Sequence, residues 1–414
     1  MIDNLKPLTF LVLSDIHFGA SSYSPDFAIK SSPPPHLISN VAPMMESLLN
    51  TVSRGHIDSI LITGDLTTTG GPSEFKECLD SVNIVAERAS VDRENIYFAF
   101  GNHDVNWRIS KLAEPGDGLG FQDNLYHEVA ASVGNIYIEN SKANEKGPLP
   151  GSGIYCRDNY IVYVVNSGFY SIHSQDHKHG KIGIAQYKWL AGCIDHYADS
   201  SKWHILMLHH HPFKYTYPTI VQDMSCLEEG SELVDLIGKS QIDIVCHGHR
   251  HHPKLFTELK NNWKSPVTFF CAGSLAVNER HRYRGVIPNL FHIIKLEDRS
   301  EKCAAIGTIE SFEYSILNGW IPCKFSEFVP LDGIQTFGSV STELENEKEA
   351  EDLISNILGR NEDQFIALPK LSALPLSLKC VNLEVLNALM KNIVNEKFKL
   401  KLIGKYPDEI AIVR

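Results

Sequence analysis

The sequence predicts an α/β protein in which two packed sheets are flanked by helices. Five short apolar runs, each bounded by turn residues, are typical of strands that are buried on both faces. They lie at 10–13, 60–62, 96–100, 205–208 and 242–245. Segments with helical apolar spacing separate most of these runs, which is the alternation of an α/β chain. Three later strand-like segments, 267–271, 289–295 and 303–316, follow one another without a helix, and the combination favours two sheets.

The predicted elements follow in order along the chain. After the first strand, a helix is predicted from Asn40, which can cap it, to Arg54, with Gly55 at its end. A strand at 59–63, a helix at 73–87 and a strand at 96–100 come next. Further strands are predicted near 160–165, 203–208 and 242–246, and further helices near 184–198 and 231–238.

Metal-binding side chains stand at the ends of these strands. Each of five segments pairs such a side chain with a glycine or a strand end: Asp15-Ile16-His17, Gly64-Asp65, Gly101-Asn102-His103-Asp104, His209-His210-His211-Pro212 and Gly248-His249-Arg250-His251. Open α/β folds place their sites along the carboxyl edge of a sheet, so these side chains are expected to converge there. Asp, Asn and His are the ligands that a pair of catalytic divalent metal ions needs.

The spacing within the first and last segments suggests how they bind metal. Residues i and i+2 of an extended chain share a face, so Asp15 and His17 are predicted to reach the same ion. His249 and His251 repeat this spacing. Gly248 is predicted to let the backbone turn close to the ions.

Asp65 and the neighbouring pair Asn102 and His103 complete the predicted site. Adjacent residues of an extended chain diverge, so Asn102 can bind metal while His103 points towards a substrate. With two carboxylate oxygens, Asp65 could bridge two cations that lie ~3.5–4 Å apart. Each motif alone has an ordinary explanation, such as a turn, a mononuclear zinc loop or a lone transition-metal site. Their joint occurrence, each after a strand, favours a dinuclear site.

These motifs resemble those of the calcineurin-like metallophosphoesterase superfamily, whose order is D-x-H, G-D, G-N-H-[D/E], a later H and G-H-x-H. Stretches 64–75 and 180–190 also resemble its cyclic-nucleotide-phosphodiesterase-like branch, and the likeness covers about residues 8–320. It implies a four-layer α/β/β/α sandwich in residues 1–325. It also implies two ligand sets that share one residue: Asp15, His17, Asp65 and His251 for one ion, and Asp65, Asn102, His210 and His249 for the other.

Two choices about the metal ions stay open. Family members usually place the late histidine two residues before a proline, which favours His210, but the strand pattern also permits His209. Nitrogen and oxygen ligands suit Mn, Fe and Zn alike. The sequence therefore predicts two divalent or trivalent ions without deciding which metal they are.

The resemblance implies hydrolysis of a phosphodiester, a cyclic nucleotide or a similar small molecule, by in-line attack of a hydroxide that bridges two metal ions. His103 is the candidate to protonate the leaving oxygen, with Asp104 orienting its ring. A nuclease and a phosphomonoesterase are enzymatic alternatives with the same ligands. A noncatalytic scaffold with this fold is disfavoured, because every expected ligand is present.

Composition limits the expected partners and compartment. The 414 residues carry a net charge of −12, which argues against nonspecific binding of nucleic acid, because that needs Lys and Arg. Nine scattered cysteines without C-x-x-C spacing indicate reduced thiols rather than a disulfide framework. The first residues show no signal-peptide pattern, and no apolar run approaches the ~20 residues of a membrane span. We expect a cytoplasmic protein that acts on a small phosphoester and has no membrane contact.

Residues 326–414 lie outside the resemblance and are predicted to form a small α+β extension of two helices and a hairpin. The first helix covers 343–358, with Gly359 at its end, and the second covers 383–395. Segments 398–403 and 409–413 flank a turn and predict the hairpin. Two roles stay open: a small domain packed on the catalytic unit, or a module for a protein partner or self-association.

Overall fold

The computed structural model describes residues 5–19, 44–106, 143–171, 179–213, 225–277, 287–299, 304–324, 333–338, 341, 343–370, 373–381, 383–406 and 409–414. Two large sheets and one small sheet run through these residues. The predicted helix start at Asn40 lies outside them.

The first sheet joins parallel strands from the beginning of the chain to antiparallel strands from its later part. Its strands are β1 (Leu8–Leu13), β2 (Ser59–Ile62), β3 (Ile96–Phe98), β11 (Leu290–Arg299), β12 (Ala305–Ser315), β13 (Gly319–Pro322) and β14 (Ile334–Phe337). Their order is β13-β12-β11-β1-β2-β3, with β14 paired to β12. Because β1, β2 and β3 are parallel, their carboxyl ends meet at one edge.

The second sheet has a parallel centre with antiparallel strands on both sides. It contains β4 (Glu145–Lys146), β5 (Gly153–Cys156), β6 (Tyr160–Val164), β7 (Trp203–Met207), β8 (Ile244–His247), β9 (Lys254–Glu258) and β10 (Val267–Cys271), in the order β4-β5-β6-β7-β8-β10-β9. Every residue of β6, β7, β8 and β10 is buried, as expected for strands that are covered on both faces.

Helices cover the outer face of each sheet. Helices α1 (Met44–Val52) and α2 (Pro72–Ala89) pack on the first sheet, and α3 (Gly183–His196) and α4 (Gly230–Gly238) pack on the second. A further apolar layer that includes Phe10, Trp203 and Phe270 fills the space between the sheets. The predicted α/β/β/α sandwich is therefore confirmed. Among the described residues, no helix is both long and apolar enough to cross a membrane.

The loop after β2 is tied to the start of α2, which holds the loop at the edge of the sheet. The Glu74 carboxylate accepts the backbone N–H groups of Thr69 (2.8 Å) and Gly71 (3.3 Å). Pro72 occupies the first turn of α2, where its missing N–H is not needed. These contacts fix the segment that follows Asp65.

The C-terminal extension has its own sheet and core. It contains α5 (Glu343–Arg360), α6 (Leu376–Lys379), α7 (Leu383–Asn392), β15 (Phe365–Ala367), β16 (Lys401–Ile403) and β17 (Ala411–Val413). Its apolar cluster, which includes Ile354, Leu386 and Ile412, is separate from the clusters of the sandwich. Strands β16 and β17 pair in antiparallel register, at the two segments for which the hairpin was predicted.

Four details of this part of the chain differ from the sequence prediction. Strand β15, too short to give an alternating pattern, adds a third strand beside β17. Gly359 lies inside the last turn of α5, and the second helix ends at Asn392 and continues as a π-helical turn, Ile393–Lys397. Strand β14 pairs with β12, so the first sheet extends to Phe337, beyond the predicted boundary at residue 325.

Candidate metal centre

The carboxyl ends of β1 and β2 continue as two loops that run side by side. The N–H of Asp15 donates to the carbonyl of Gly64 (3.0 Å), and that of His17 donates to the carbonyl of Asp65 (2.9 Å). The Thr68 hydroxyl donates to the carbonyl of His17 (2.7 Å). These bonds hold three predicted ligands at one edge of the first sheet, where the strand ends predicted them.

The backbone is strained at the predicted ligands. Among the described residues, seven that are not glycine have a positive φ, and five of these are predicted ligands: Asp15, His17, Asp65, His249 and His251. Their φ values lie between 49° and 76°, a left-handed region that costs a residue with a side chain about 1–2 kcal/mol. The predicted extended geometry of these segments is therefore wrong, since left-handed turns direct these side chains. Such strain clusters at functional sites.

Two glycines let the backbone approach the ligands closely. Gly64 has a φ of +102°, and a Cβ there would lie 2.3 Å from Nδ1 of His209. A Cβ on Gly248 would lie 2.1 Å from Oγ of Ser14. Only glycine fits at either position.

One group of donor atoms lies where β1, β2 and β8 end. Oδ1 of Asp15 is 3.1 Å from Nε2 of His251, and Nε2 of His17 is 3.3 Å from the same nitrogen. Oδ2 of Asp65 lies 3.8 Å from Nε2 of His17. Each of these four residues has a donor atom within 4.8 Å of those of the other three, so one ion could bind them all.

A second group faces the same oxygen of Asp65. Nε2 of His209 is 3.2 Å from Oδ2 of Asp65 and 3.2 Å from Nδ1 of His249. His210 also places a donor atom within 4.8 Å of those of His209 and His249. Oδ2 of Asp65 therefore faces both groups. The prediction from the sequence had used both carboxylate oxygens to bridge the two cations.

Asn102, the remaining predicted ligand, lies in the turn that follows β3. It is buried and begins the short 3-10 turn Asn102–Asp104 after Gly101. The next backbone N–H, that of His103, donates to Oδ1 of Asp65 (2.9 Å). This bond places the turn beside the shared carboxylate.

The donor spacing and charges fit two metal ions. Ligands that bind ~2.1 Å from an ion at right angles lie ~3 Å apart, close to the 3.1–3.3 Å of four donor pairs here. Burial holds the pKa values of His17 and His249 well below their usual value, so both rings are neutral donors. Burial opposes ionisation of Asp65, but His209 and His103 outweigh it and lower the pKa of Asp65. Neutral imidazoles around buried carboxylates are a donor set for cations.

The part of the sequence that carries these donors identifies the protein family. A model of the calcineurin-like phosphoesterase family matches residues 8–253, which include every predicted ligand. The chain belongs to this family. Calcineurin-like phosphoesterases are hydrolases that depend on two metal ions, in agreement with the two donor groups.

Individual relatives of this calcineurin-like phosphoesterase are distant. A Rhodococcus erythropolis protein named "Probable cyclic nucleotide phosphodiesterase" is 27% identical over 251 residues, which are 60% of this chain and 66% of that protein, just under two thirds. A dimetal phosphatase from Danio rerio is 10% identical with a TM-score of 0.43, covering 75% of this chain and 96% of that one. Purple acid phosphatase PPD1 from yellow lupin (Lupinus luteus) is 13% identical with a TM-score of 0.48, covering 81% and 54%. None of these likenesses decides the substrate.

Within this phosphoesterase, hydrogen bonds favour His209 over His210 as the metal-binding member of the triplet. Nδ1 of His209 donates to the carbonyl of Thr63 (2.8 Å), which would leave the lone pair of Nε2 for an ion held beside Asp65. A carbonyl on the far nitrogen is the usual support of a metal-binding histidine. Nδ1 of His210 instead lies 2.9 Å from Oγ of Ser167. The choice of His210, based on its distance from the proline, stays a prediction without support from these bonds.

His103 lies beside the first donor group. Its ring centroid is 4.7 Å from that of His17, with the rings edge to face. Nδ1 of His103 donates to the carbonyl of Thr68 (2.9 Å), which fixes the orientation of the ring. Nε2 is therefore the nitrogen that can meet a substrate.

Asp104 faces the loops rather than the ring of His103. Its carboxylate accepts the backbone N–H groups of Gly101 (2.9 Å) and Thr67 (3.0 Å). Burial and the charge of Asp65 raise its pKa to about 7. The predicted ring-orienting role of Asp104 is wrong. Its carboxylate instead joins the turn Asn102–Asp104 to the loop after β2, and the Thr68 carbonyl orients the ring of His103.

Three hydroxyl side chains that support the ligands were missed. Oγ of Ser14 donates to Oδ2 of Asp15 (2.5 Å), and Oγ1 of Thr63 donates to Oγ of Ser14 (2.7 Å). Oγ of Ser167 accepts the backbone N–H groups of two triplet histidines (3.2 and 3.1 Å). Ser167 follows β6 as the ligands follow their strands, so the strand-end pattern could have found it.

Proposed function

We propose that this chain hydrolyses a small phosphodiester, with a cyclic nucleotide as the first candidate. The observation that carries the proposal is the shared carboxylate, because Oδ2 of Asp65 faces both donor groups. One oxygen between two ions brings both ions to a single phosphate. The match to the relative from R. erythropolis supports the choice of substrate.

The chain's own residues supply the geometry of the reaction. Asp15, His17 and His251 would hold one ion, Asn102, His209 and His249 the other, and Asp65 both. When bound, the ions supply an activated water molecule and positive charge opposite the phosphoryl oxygens. Left-handed turns at five of these residues hold the donors in position before substrate arrives, which is how an enzyme avoids reorganisation during the reaction.

His103 is the proposed source of the leaving-group proton. Its Nδ1–H is engaged by the Thr68 carbonyl, so the ring must carry a second hydrogen on Nε2 to act as an acid. The ring stands beside His17, at the border of the first donor group. General acid catalysis of this kind contributes about 10²–10⁴-fold to a rate.

Metal analysis combined with a substrate panel tests the proposal. Protein loaded with Mn, Fe or Zn is assayed on cyclic nucleotides, nucleoside monophosphates, glycerophosphodiesters and single-stranded DNA. We expect about two ions per chain, loss of activity with a chelator, and a preference for a small phosphodiester. A preference for monoesters or DNA would replace the proposed substrate by one of the two alternatives. One ion or none in active protein would contradict the dinuclear centre.

His103→Ala is expected to lower kcat by about 10²–10⁴-fold while both ions stay bound, because His103 belongs to neither donor group. Turnover and metal content are measured on the same sample. An aryl phosphodiester, whose leaving group needs no proton, should show a smaller loss than an alkyl one. Loss of an ion, or equal losses on both esters, would contradict the role. His56→Ala, at an exposed side chain, is the control.

We also propose a cytoplasmic location and an interaction role for the extension. The buried thiols of Cys78, Cys246 and Cys271 support the first, since a reducing compartment keeps thiols intact. The exposed side chains of Leu344 and Phe365 support the second. Cell fractionation tests the location, and sedimentation of the full chain beside Leu344→Ser and Phe365→Ser variants tests self-association.

A further inference from the structure

We propose that His210 presents its Nε2–H to a phosphoryl oxygen of the substrate, rather than a lone pair to a metal ion. This inference rests on the proposed function, because it needs a phosphoester at the centre. It gives the second histidine of the triplet a role in binding substrate. Four observations carry it: the hydrogen bonds of Ser167, the burial of His210, the packing of its ring and its place at the second donor group.

The hydroxyl of Ser167 decides which nitrogen of His210 carries hydrogen. Oγ of Ser167 accepts the backbone N–H groups of His209 (3.2 Å) and His210 (3.1 Å). A serine hydroxyl has two acceptor lone pairs and one hydrogen, so its contact with Nδ1 of His210 (2.9 Å) uses that hydrogen. Nδ1 is an acceptor, and the imidazole hydrogen lies on Nε2. A nitrogen that bears hydrogen has no lone pair for a metal ion.

Nε2 of His210 is a buried donor, and it has no acceptor among the residues that the structure describes. The residue is 0% exposed. A buried donor without a partner costs about 1–3 kcal/mol, so an incoming acceptor would remove this cost. Burial also lowers the pKa of His210, in keeping with a neutral donor.

The ring of His210 is held in place from two sides. Its centroid lies 4.4 Å from that of His249. On another side, a Cβ on Gly180 would lie 2.3 Å from Cγ of His210, so only a glycine backbone fits against the ring. The backbone of Gly180 is itself held by a hydrogen bond, because its carbonyl accepts the N–H of Glu228 (2.9 Å). The ring cannot swing to a different acceptor without displacing this segment.

A phosphoryl oxygen is the acceptor that this position suits. The ring of His210 is 5.0 Å from the ring of His209, which faces Asp65 in the second donor group. A phosphate that approaches this group brings charged oxygens, and N–H donors bond charged oxygens about twice as strongly as neutral ones. A fixed donor here stabilises charge that grows on the phosphoryl group as the ester bond breaks. No proton leaves His210 in this role.

Phosphate binding, metal content and turnover in matched variants test the inference. Calorimetry with inorganic phosphate is performed on metal-loaded wild type, His210→Phe, His210→Gln and Ser167→Ala. His210→Phe should keep both ions and bind phosphate about tenfold more weakly, the loss of one hydrogen bond to a charged group. The amide of His210→Gln can place an N–H near the position of Nε2, so it should recover most of the affinity. Ser167→Ala lets the ring hydrogen move to Nδ1 and should weaken binding by a smaller factor.

Each outcome of these measurements decides between the roles of His210. Loss of an ion in both His210 variants would make His210 a metal ligand and overturn the inference. Unchanged phosphate affinity in His210→Phe, with both ions bound, would make its role structural and also overturn it. If His210→Phe does not fold, His210→Asn replaces it, because the shorter amide cannot reach the position of Nε2. A wild-type protein that binds neither ions nor phosphate would overturn the proposed function itself.

Discussion

Two buried polar clusters lie at opposite edges of the second sheet. The carboxyl-edge cluster consists of the metal-centre donors that follow the ends of β7 and β8, together with Asp15, His17 and Asp65, which face them from the first sheet. The amino-edge cluster lies where these strands begin and joins Asp243, His204 and Arg299. Arg299 donates to both oxygens of Asp243, from Nε (2.8 Å) and Nη2 (2.7 Å), and the backbone N–H of His204 donates to Oδ2 (2.8 Å). The amino-edge cluster balances its charges within the chain, whereas the carboxyl-edge cluster gathers groups that attract cations.

The two clusters also differ in backbone strain. Five of the predicted ligands adopt left-handed φ values, and none of the three amino-edge residues does. His249 and His251 follow β8, the strand that begins directly after Asp243, so a difference in the packing of that strand cannot explain the contrast. Backbone strain of this kind clusters at sites where side chains must converge on a bound ligand. The beginnings of β7 and β8 therefore stabilise the fold, and their ends carry donors of the metal centre.

The largest expected effect is on the carboxyl-edge cluster. Asp65→Asn removes the charge that both donor groups share but keeps an oxygen for the N–H of His103. We expect kcat/KM to fall by about 10⁴-fold or more, as when a principal catalytic residue is removed, with at least one ion lost. Kinetics and elemental analysis measure both. Asp158→Asn, at an exposed position, is the matched control. Retention of both ions in Asp65→Asn would show that the carboxylate does not bridge them.

The amino-edge cluster should respond in stability rather than in metal binding. Arg299→Met keeps an apolar stem of similar length and leaves the Asp243 carboxylate buried without its partner, which costs about 3–5 kcal/mol of unfolding free energy. Metal content should not change. Lys295→Met, on the same strand, removes an exposed ion pair with Glu297 (2.8 Å) and should cost under about 1 kcal/mol. Denaturant unfolding compares the variants, and similar losses for both would remove the distinction between the clusters.

The catalytic fold and most of the donors could be predicted because both depend on local patterns. Strands such as β1, β2 and β7 are apolar except for one residue each, and such a run signals its own burial. Asp15, Asp65 and His209 follow these runs within two or three residues, so the end of the strand also locates the ligand.

The rest of the site depends on contacts between segments that are distant in sequence. The left-handed turns at Asp15 and His17 have no local signal, since neither residue type requires such a turn. The Thr68 carbonyl orients His103 only because the loop after β2 lies beside the turn at Asn102–Asp104. Ser167 selects between His209 and His210 from a strand 40 or so residues earlier, and no motif spacing contains that contact.

The smallest expected effect concerns a buried histidine outside both clusters. His292 lies in β11, where Nδ1 donates to Oγ of Ser311 (2.8 Å) and Nε2 accepts the N–H of Gly273 (3.4 Å). Burial lowers its pKa from 6.5 to about 3. Below pH 6.5 the unfolded chain therefore binds a proton here that the folded chain does not, so stability falls as the pH falls towards 3.

His292→Gln should reduce this acid sensitivity. Its amide can accept the N–H of Gly273 but does not titrate, so between about pH 8 and about pH 5 the variant should lose about 2 kcal/mol less unfolding free energy than wild type, at about 1.4 kcal/mol per pH unit. Denaturant unfolding in the presence of a chelator keeps proton-linked metal release out of the comparison. His56→Gln, at a side chain that is 81% exposed, should follow wild type. Equal losses in His292→Gln and wild type would mean that His292 accepts its proton inside the folded protein.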